Sequence, residues 1–483
     1  MSALQRNVVV VGAGVAGLAA ATAMAKDGAS VTLLERRPFV GGRAYSYLHP
    51  ALEETIDSQH VVLGCCTNFI DLIAQAGAAG SIRWYDELCF LQPSQIYTQV
   101  PHARDSSIVP TMGIQTWLKP GFLPAPFHQS LSFLHAPMLN LRDKAGIAAG
   151  LTHFLRGYPV DDTESFATWL KRTHQTDRAI RHFWEPVVVG ALNDSFDQCS
   201  TKYAGKVFYE SFLRSREGGR LGIPAAPLSE FFQPVVAYAR ALGVDVWFNS
   251  GVDSIAQIPR GRWQVRTSDK EFEADSLVLA TDFRRTERIL STLRSSDMTP
   301  AALSASQSDQ FVAAPITTIH LWYDRDVTDL DHAVLLDTRI QWMFAKSRIR
   351  GWEPGRGSYL ELVISASWPE IEMTREQILA SAVREIQLFL PAVREAKLVK
   401  SAVLKEARAT FSVTPGLDRF RPPQTTEFPG LFVAGDWTAT EWPSTMEGAI
   451  RSGRLAAGEL VGDRTRFLAP ETPATGLMRW LIR

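Results

Sequence analysis

Three glycines and one acid near the amino terminus have the spacing of a site for a dinucleotide. Gly12, Gly14 and Gly17 form the pattern Gly-x-Gly-x-x-Gly, and Glu35 follows 18 residues after Gly17. Gly12 permits a tight turn, Gly14 lets the backbone approach a pyrophosphate, and Gly17 lets a helix pack closely on a strand. Glu35 can accept hydrogen bonds from a ribose, and its charge disfavours a 2′-phosphate.

The elements that must position these residues are also predicted. Val8–Val11 is a β-branched run suited to a strand buried on both faces, and an alanine-rich helix follows the glycines to about Lys26. The strand Ser30–Leu34 then leads into Glu35. Ala13 lies in the turn before the helix, whose free N–H groups and partial positive charge bind phosphate. The complete pattern favours this interpretation over an ordinary glycine-rich turn.

A second glycine-containing segment follows the acid. Gly41-Gly42 permits close backbone contact, and Arg43 can neutralise a pyrophosphate, with Arg36 in the same segment. Together with the first motif, this segment resembles the flavin-dependent amine oxidase and phytoene desaturase superfamily. The resemblance implies FAD rather than NAD as the cofactor. A structural turn followed by a surface arginine is the alternative.

The chain is predicted to be an α/β protein with a discontinuous Rossmann-type FAD-binding domain of the glutathione-reductase kind. Its pieces are 1–65, 226–291 and 421–465. In the middle piece, 228–242 is predicted to be a helix and Val244–Phe248 a strand, followed by a Trp263–Thr267/Glu271–Ala274 hairpin. The resemblance implies that the Val252 backbone contacts adenine and that Ala280 borders the cofactor.

The third piece contains a buried strand, Gly430–Asp436, that ends in Gly435-Asp436. Asp436 can accept a hydrogen bond from a ribityl hydroxyl. Ser444–Glu447 has the spacing of a capping box and predicts a helix from about Thr445. The backbone near Met446, supported by Ala449, is expected to meet the flavin pyrimidine edge, where a helix amino terminus stabilises negative charge.

The remaining regions, 66–225 and 292–420, are predicted to form an inserted mixed α+β substrate domain. Within it, 109–157 is apolar and broken by prolines, which is compatible with short helices that enter a lipid interface or with an ordinary core. The tail, 466–483, places Leu477, Trp480 and Leu481 at helical spacing near Arg479 and Arg483. It is expected to pack on the protein or to contact a membrane.

Three further segments resemble the squalene-associated FAD-dependent enzymes, the hydroxysqualene dehydroxylases of bacterial hopanoid biosynthesis. This resemblance implies reduction of hydroxysqualene, an apolar terpene alcohol, to squalene by hydride from reduced FAD with loss of water. The chain lacks a glycine that the family more often has before the Gln-His pair. The segments are Ile56–Cys65, Ala409–Phe411, and Gly435–Thr438 with Trp442–Ala449.

Departure of hydroxide requires a proton donor, and His60 is the predicted one. An unperturbed histidine has a pKa of ~6.5 and is partly protonated near neutrality. Gln59 is its predicted positioning partner. A histidine that only orients the loop or the flavin is the alternative, and the other candidate acids are Asp57, Glu441 and Glu447.

Composition excludes several other classes. Lys plus Arg number 50 and Asp plus Glu 51, so no overall field attracts nucleic acid. Four cysteines without a Cys-x-x-Cys pair indicate a reducing compartment, and no metal site is predicted.

We expect a cytoplasmic enzyme, peripheral on the inner face of the membrane, associated with squalene-pathway prenyl synthases; its electron donor is not indicated. A carotenoid-type desaturase, an amine oxidase and a flavin-bearing binding scaffold are the alternatives.

Overall fold

The computed structural model describes residues 6–93, 114–293 and 309–481. One part of the fold is built on a five-stranded parallel sheet whose strands come from the beginning, the middle and the end of the chain. Val8–Val11, Ser276–Leu279 and Leu431–Val433 are buried throughout, as is usual in parallel sheets, whereas the edge strand Asp245–Trp247 is partly exposed. From edge to edge the strands are Asp245–Trp247, Ser30–Leu34, Asn7–Val11, Ser276–Leu279 and Leu431–Val433.

Two helices pack against each other beside this sheet. Val15–Lys26 follows the first strand, and Met446–Val461 returns from the far end of the chain. A Cβ atom on Gly453 would lie 2.1 Å from the carbonyl oxygen of Ala16, so only glycine permits this approach. Gly453 therefore permits backbone-to-backbone contact between the two helices.

A second sheet of seven strands lies in the region predicted as the substrate domain. All its neighbouring strands are antiparallel except His332–Leu335 with Leu88–Gln92. The order is Leu398–Phe411, Ala313–Tyr323, Ser358–Ser365, Trp342–Ala345, His332–Leu335, Leu88–Gln92 and Ile114–Leu118.

Three smaller sheets and the remaining helices complete the described fold. The small sheets comprise Val252–Ile258, Arg262–Thr267 and Glu271–Ala274; Ser46–His49 and Glu54–Asp57; and Val62–Leu63, Leu221–Pro224 and Ile82–Tyr85. The other α-helices of at least six residues are Thr67–Gln75, Ser130–His135, Leu141–Thr152, Phe166–Arg172, Glu185–Leu192, Thr201–Phe208, Gln233–Ala241, Phe283–Leu290 and Arg375–Ile386.

The predicted fold class is confirmed, and two local predictions need correction. The helix predicted over 228–242 is divided into Leu228–Phe231 and Gln233–Ala241, because Pro234 starts a new helix. The apolar region includes the strand Ile114–Leu118 as well as helices, and its start at Val109 lies outside the described residues. The domain boundaries stay a prediction.

The described ranges contain no helix with the length and apolar character needed to cross a bilayer. The uncharged run 8–25, long enough to suggest a span, is divided between the strand Asn7–Val11 and the helix that begins at Val15.

Candidate active site

The glycine loop lies where the central strands of the parallel sheet end. Gly12 has a φ of +104°, and its N–H donates to the carbonyl of Leu34 at 2.7 Å. A Cβ atom there would come within 2.6 Å of the Ala280 carbonyl oxygen. Gly12 thus lets three neighbouring segments meet and lies close to Ala280; that Ala280 borders the cofactor stays a prediction.

Gly14 and Gly17 leave space around the start of the helix Val15–Lys26. Gly14 is its N-cap and supplies no side-chain cap, so the first-turn N–H groups face outward without a side-chain acceptor. A Cβ atom on Gly42, whose φ is +65°, would lie 3.0 Å from the Cα atom of Gly14. A Cβ atom on Gly17 would overlap the Gly12 carbonyl oxygen at 1.8 Å. Two bare backbones therefore form a cradle of the kind that accepts a pyrophosphate.

Glu35 is buried beside this cradle. One of its carboxylate oxygens accepts the N–H of Ala13 at 2.7 Å, and the other accepts the N–H of Arg37 at 2.8 Å. Each oxygen keeps a second lone pair for a ribose hydroxyl. Arg36 is exposed, and the aliphatic part of its side chain lies 3.4 Å from the Cβ position of Gly251. Glu35 and Ala13 are thus brought together as predicted.

Arg43 and Asp436 come from opposite ends of the chain and form an ion pair of 2.5 Å. Ser444 donates its hydroxyl to the other oxygen of Asp436, also at 2.5 Å. Burial is the largest influence on Asp436 and opposes its charge, but Arg43 and Ser444 outweigh it, so the pKa of Asp436 is lowered. A fixed anion and a fixed cation therefore lie side by side at the predicted pyrophosphate and ribityl positions.

The helix Met446–Val461 starts where predicted, but not through the predicted capping box. Thr445 is the N-cap, and its hydroxyl accepts the N–H of Gly448 at 3.1 Å. Ser444 is instead bound to Asp436. Glu447 accepts the backbone N–H groups of Asn68 at 3.2 Å and Phe69 at 2.8 Å. Its carboxylate therefore caps the helix Thr67–Gln75, and the capping-box prediction is wrong.

Two other predicted cofactor contacts are placed as follows. Ala449 is buried, and its N–H donates to the carbonyl of Thr445 in the first turn of the helix. The carbonyl of Val252 accepts a hydrogen bond from the guanidinium of Arg285. The proposed meeting of Val252 with adenine stays a prediction.

Gln59 and His60 lie in the segment after the strand Glu54–Asp57. The Nδ1 atom of His60 is 2.8 Å from the carbonyl oxygen of Ser58. A carbonyl only accepts, so Nδ1 carries the hydrogen and Nε2 of the neutral ring keeps a lone pair. Burial is the main cause that lowers the pKa of His60 below 6.5. Protonation near neutrality is thus less favourable than the unperturbed pKa indicates, and the role of His60 as proton donor stays a prediction.

Sequence reasoning missed a buried ionic cluster behind this segment. The Lys346 ammonium lies 2.9 Å from a carboxylate oxygen of Asp57 and 3.0 Å from one of Glu361. Neither Lys346 nor Glu361 belongs to a motif, and the separation along the chain leaves no local signal. Two other candidate acids are set apart: Glu441 is exposed, and Glu447 is committed to the helix Thr67–Gln75.

Comparison with known proteins identifies the cofactor. Residues 15–461 match the family described as flavin containing amine oxidoreductase. The bare glycine cradle, the buried Glu35 and the Arg43–Asp436 pair fit FAD, because they offer groups for its phosphates and ribose hydroxyls. The predicted FAD cofactor is confirmed.

Curated relatives extend along most of the chain. A 15-cis-phytoene desaturase of Synechococcus elongatus is 25% identical over 475 residues, covering 94% of this chain and 96% of its own. A probable zeta-carotene desaturase of the same organism is 26% identical, with coverage of 93% and 98%. A 15-cis-phytoene desaturase of Arabidopsis thaliana is 24% identical, with coverage of 95% and 80%.

Solved structures share the fold at lower identity. A putrescine oxidase variant superposes with a TM-score of 0.70 at 19% identity, covering 95% of this chain and 99% of its own. An oxidoreductase from Methanosarcina mazei has a TM-score of 0.69 at 16% identity, with coverage of 95% and 100%. These structures support the fold only.

Glu35→Ala tests the ribose end of the site. The substitution removes the acceptors of two backbone N–H groups as well as the expected ribose acceptor. We expect FAD to bind at least ~10-fold more weakly, since hydrogen bonds to a charged group contribute about 1.5–3 kcal/mol each. Titration of apoprotein with FAD, followed by flavin fluorescence, measures this. Glu353→Ala, at an exposed glutamate, is the control, and equal affinity of both variants would contradict the assignment of Glu35.

Proposed function

We propose, from the fact that this chain belongs to the family of flavin containing amine oxidoreductases, that it is an FAD-dependent desaturase of an uncharged isoprenoid chain. The observation that carries the proposal is the similarity to 15-cis-phytoene and zeta-carotene desaturases over more than nine-tenths of this sequence. That similarity favours the carotenoid-type alternative over hydroxysqualene reduction, to which individual motifs point.

Desaturation removes a hydride from one carbon and a proton from its neighbour, and the electrons of the second C–H bond form the new double bond. When bound, FAD accepts the hydride. The chain itself must then hold the substrate away from water and supply a base for the proton.

His60 has the form that a base needs. The carbonyl of Ser58 fixes the hydrogen on Nδ1, so Nε2 presents its lone pair. Because burial lowers the pKa of His60, its imidazole is mainly neutral at pH 7. A neutral ring can accept the proton from the substrate carbon, and Nε2 is the atom that receives it.

The same features argue against His60 as the acid of a dehydroxylase. Expelling hydroxide as water requires a donor that holds its proton at neutral pH, and a lowered pKa opposes this. Hydroxysqualene reduction nevertheless stays the second candidate. The segments Ile56–Cys65 and Gly435–Thr438 favour it, because they resemble the squalene-associated enzymes.

A one-turnover experiment separates the two reactions. Under anaerobic conditions, oxidised FAD-loaded protein is mixed with 15-cis-phytoene, and photoreduced protein is mixed with hydroxysqualene. We expect phytoene to bleach the yellow flavin absorbance and to yield a polyene with one more double bond. Return of the yellow colour with formation of squalene would instead establish the dehydroxylase. A protein that binds FAD but turns over neither would favour the binding scaffold.

His60→Gln tests the base. We expect the rate constant of flavin bleaching to fall by ~10²-fold or more, as for other positioned bases, with unchanged flavin content. The wild-type rate constant should fall as the pH drops below 6.5, because protonation removes the Nε2 lone pair. His135→Gln, at an exposed histidine, is the control. An undiminished rate constant for His60→Gln would remove His60 from the reaction.

A peripheral membrane surface would supply such a substrate. Phe122, Leu141 and Trp480 are 85%, 81% and 83% exposed. The tail packs on the protein beside this region: the N–H of Leu477 donates to the carbonyl of Ala125 at 2.9 Å, and Met478 is fully buried. Exposed aromatic and aliphatic groups in the apolar segment 109–157 and in the tail beside it suit a lipid interface on the inner face of the cytoplasmic membrane. Association with prenyl synthases stays a prediction.

The double variant Phe122→Ser/Trp480→Ser tests this surface. Each aromatic side chain buried in lipid contributes about 1.5–3 kcal/mol, so we expect at least ~10-fold weaker binding. Co-sedimentation with vesicles of phosphatidylethanolamine and phosphatidylglycerol measures it. Val160→Ser, at an apolar residue 90% exposed elsewhere in the chain, is the control. Equal sedimentation of the double variant and wild type would disprove the surface.

A further inference from the structure

The ionic cluster behind His60 is more deeply buried than the site that it adjoins. Lys346, Asp57 and Glu361 are 3%, 1% and 0% exposed. Arg350 adds a second cation, at 3.1 Å from Asp57. Burying such charges has a large desolvation cost, and a cluster of this kind is weak evidence for stability alone. Its position behind a segment of the active site indicates a further role.

Two members of the cluster bind the Gln59–His60 segment directly. Glu361 accepts the backbone N–H of Gln59 at 2.6 Å through one oxygen. Lys346 donates to the side-chain oxygen of Gln59, also at 2.6 Å. The Gln59 amide group in turn donates to the carbonyl of His60 at 2.6 Å. Backbone and side chain of Gln59 are therefore fixed from one buried group of charges, and His60 is fixed through Gln59.

The cluster joins three parts of the chain. Asp57 ends the strand Glu54–Asp57, and its other oxygen accepts the N–H of Leu228 at 3.0 Å. Glu361 lies inside the seven-stranded sheet, and Lys346 begins the short helix Lys346–Ile349. The segment that carries His60 thus takes its position from the seven-stranded sheet.

We propose that Lys346 and Glu361 are positioning residues: through Gln59 they hold His60 at the reacting carbon, and the ionisation of Glu361 sets how firmly they hold it. The role at the reacting carbon rests on the proposed function. The hold on His60 does not, and it can be measured without substrate.

The charges around Glu361 support a titration in the physiological range. Burial is the largest influence on Glu361 and raises its pKa to about 7, although Lys346 acts in the opposite direction. Burial also acts against the charge of Asp57, but Lys346 and Arg350 outweigh it and lower its pKa to about 2. Lys346 is thus shared between one permanent anion and one that ionises near neutrality.

The other groups packed around Glu361 do not titrate in this range. His320, its neighbour across the sheet, is buried and has a pKa lowered to about 3, chiefly by desolvation. Tyr359 is buried, which raises its pKa well above 10. Because an ionised acceptor makes a stronger hydrogen bond, the bond from the Gln59 N–H strengthens as Glu361 loses its proton.

The rate of chemical labelling of His60 tests how firmly Lys346 and Glu361 hold this side chain in position. Diethyl pyrocarbonate acylates neutral imidazole, and mass spectrometry of the FAD-loaded full chain measures the acylation rate constant of His60 itself, divided at each pH by the neutral fraction of its ring from an NMR titration. We expect this corrected labelling rate of His60 to fall about twofold or more as the pH rises through 7. In Glu361→Gln the amide oxygen still accepts the Gln59 N–H, so the pH step should disappear while labelling stays within about twofold of wild type. In Lys346→Met labelling should rise about fivefold.

A matched control and a second readout keep this test decisive. Glu370→Gln alters another buried carboxylate, paired with Arg339 at 2.7 Å, and should leave the His60 step unchanged. The raised pKa of Glu361 contributes stability below pH 4.5 that is lost as the pH rises through about 7, so Glu361→Gln should remove this loss from urea unfolding curves. If Lys346→Met does not fold, Gln59→Ala provides the same release of His60.

Each outcome decides the proposal. It is overturned if the labelling of His60 shows no step near pH 7, if Glu361→Gln retains the step, or if neither Lys346→Met nor Gln59→Ala raises the labelling. Single-turnover rate constants then distinguish the two proposals. A protein with the labelling step but no turnover of any isoprenoid would retain the hold on His60 and reject the proposed function.

Discussion

The site depends on close contact between main-chain segments around Gly12. The loop can turn beneath Ala280 only because residue 12 has no Cβ, and the helix after it can start there only because residue 17 has none. Gly453 extends the same rule to the helix Met446–Val461, which lies against Ala16. As a result the helix Val15–Lys26 starts at the glycine cradle, and the helix Met446–Val461 starts two residues after Ser444, which binds Asp436 beside Arg43.

Local patterns predict much of the cofactor half of the fold, except for the break before Pro234 in the helix predicted over 228–242. The turn at Gly12, the helix to Lys26 and the strand Glu271–Ala274 follow from glycine spacing and from hydrophobic periodicity, and the structure contains each of them. Ser444 and Glu447 show that local spacing alone does not determine which groups a side chain binds. Their spacing satisfies a capping rule, but Glu447 binds Asn68 and Phe69, which are 379 and 378 residues away in the chain.

The location of the buried charges and the protonation state of His60 are the features that the sequence predicts least well. A nearly neutral composition gives no indication that Lys346, Asp57 and Glu361 are gathered in the interior. The protonation state of His60 could not be read from its type either, because burial and the Ser58 carbonyl decide it. Under the proposed function, those two influences replace the predicted role of a proton donor with that of a proton acceptor. They also agree with the direction of the reaction that the relatives catalyse by name.

Glu447 joins the starts of two helices that lie far apart in the chain. Its carboxylate connects the first turn of the helix Met446–Val461, which is predicted to meet the flavin, to a helix that starts seven residues after His60. Under the proposed function, redox tuning and substrate geometry are therefore coupled. A substitution that shifts the start of one of these helices is expected to shift the start of the other. We therefore expect the flavin environment and the substrate geometry to change together during divergence of the family, or not at all. We expect a laboratory redesign of the substrate-binding side to alter the flavin environment as well.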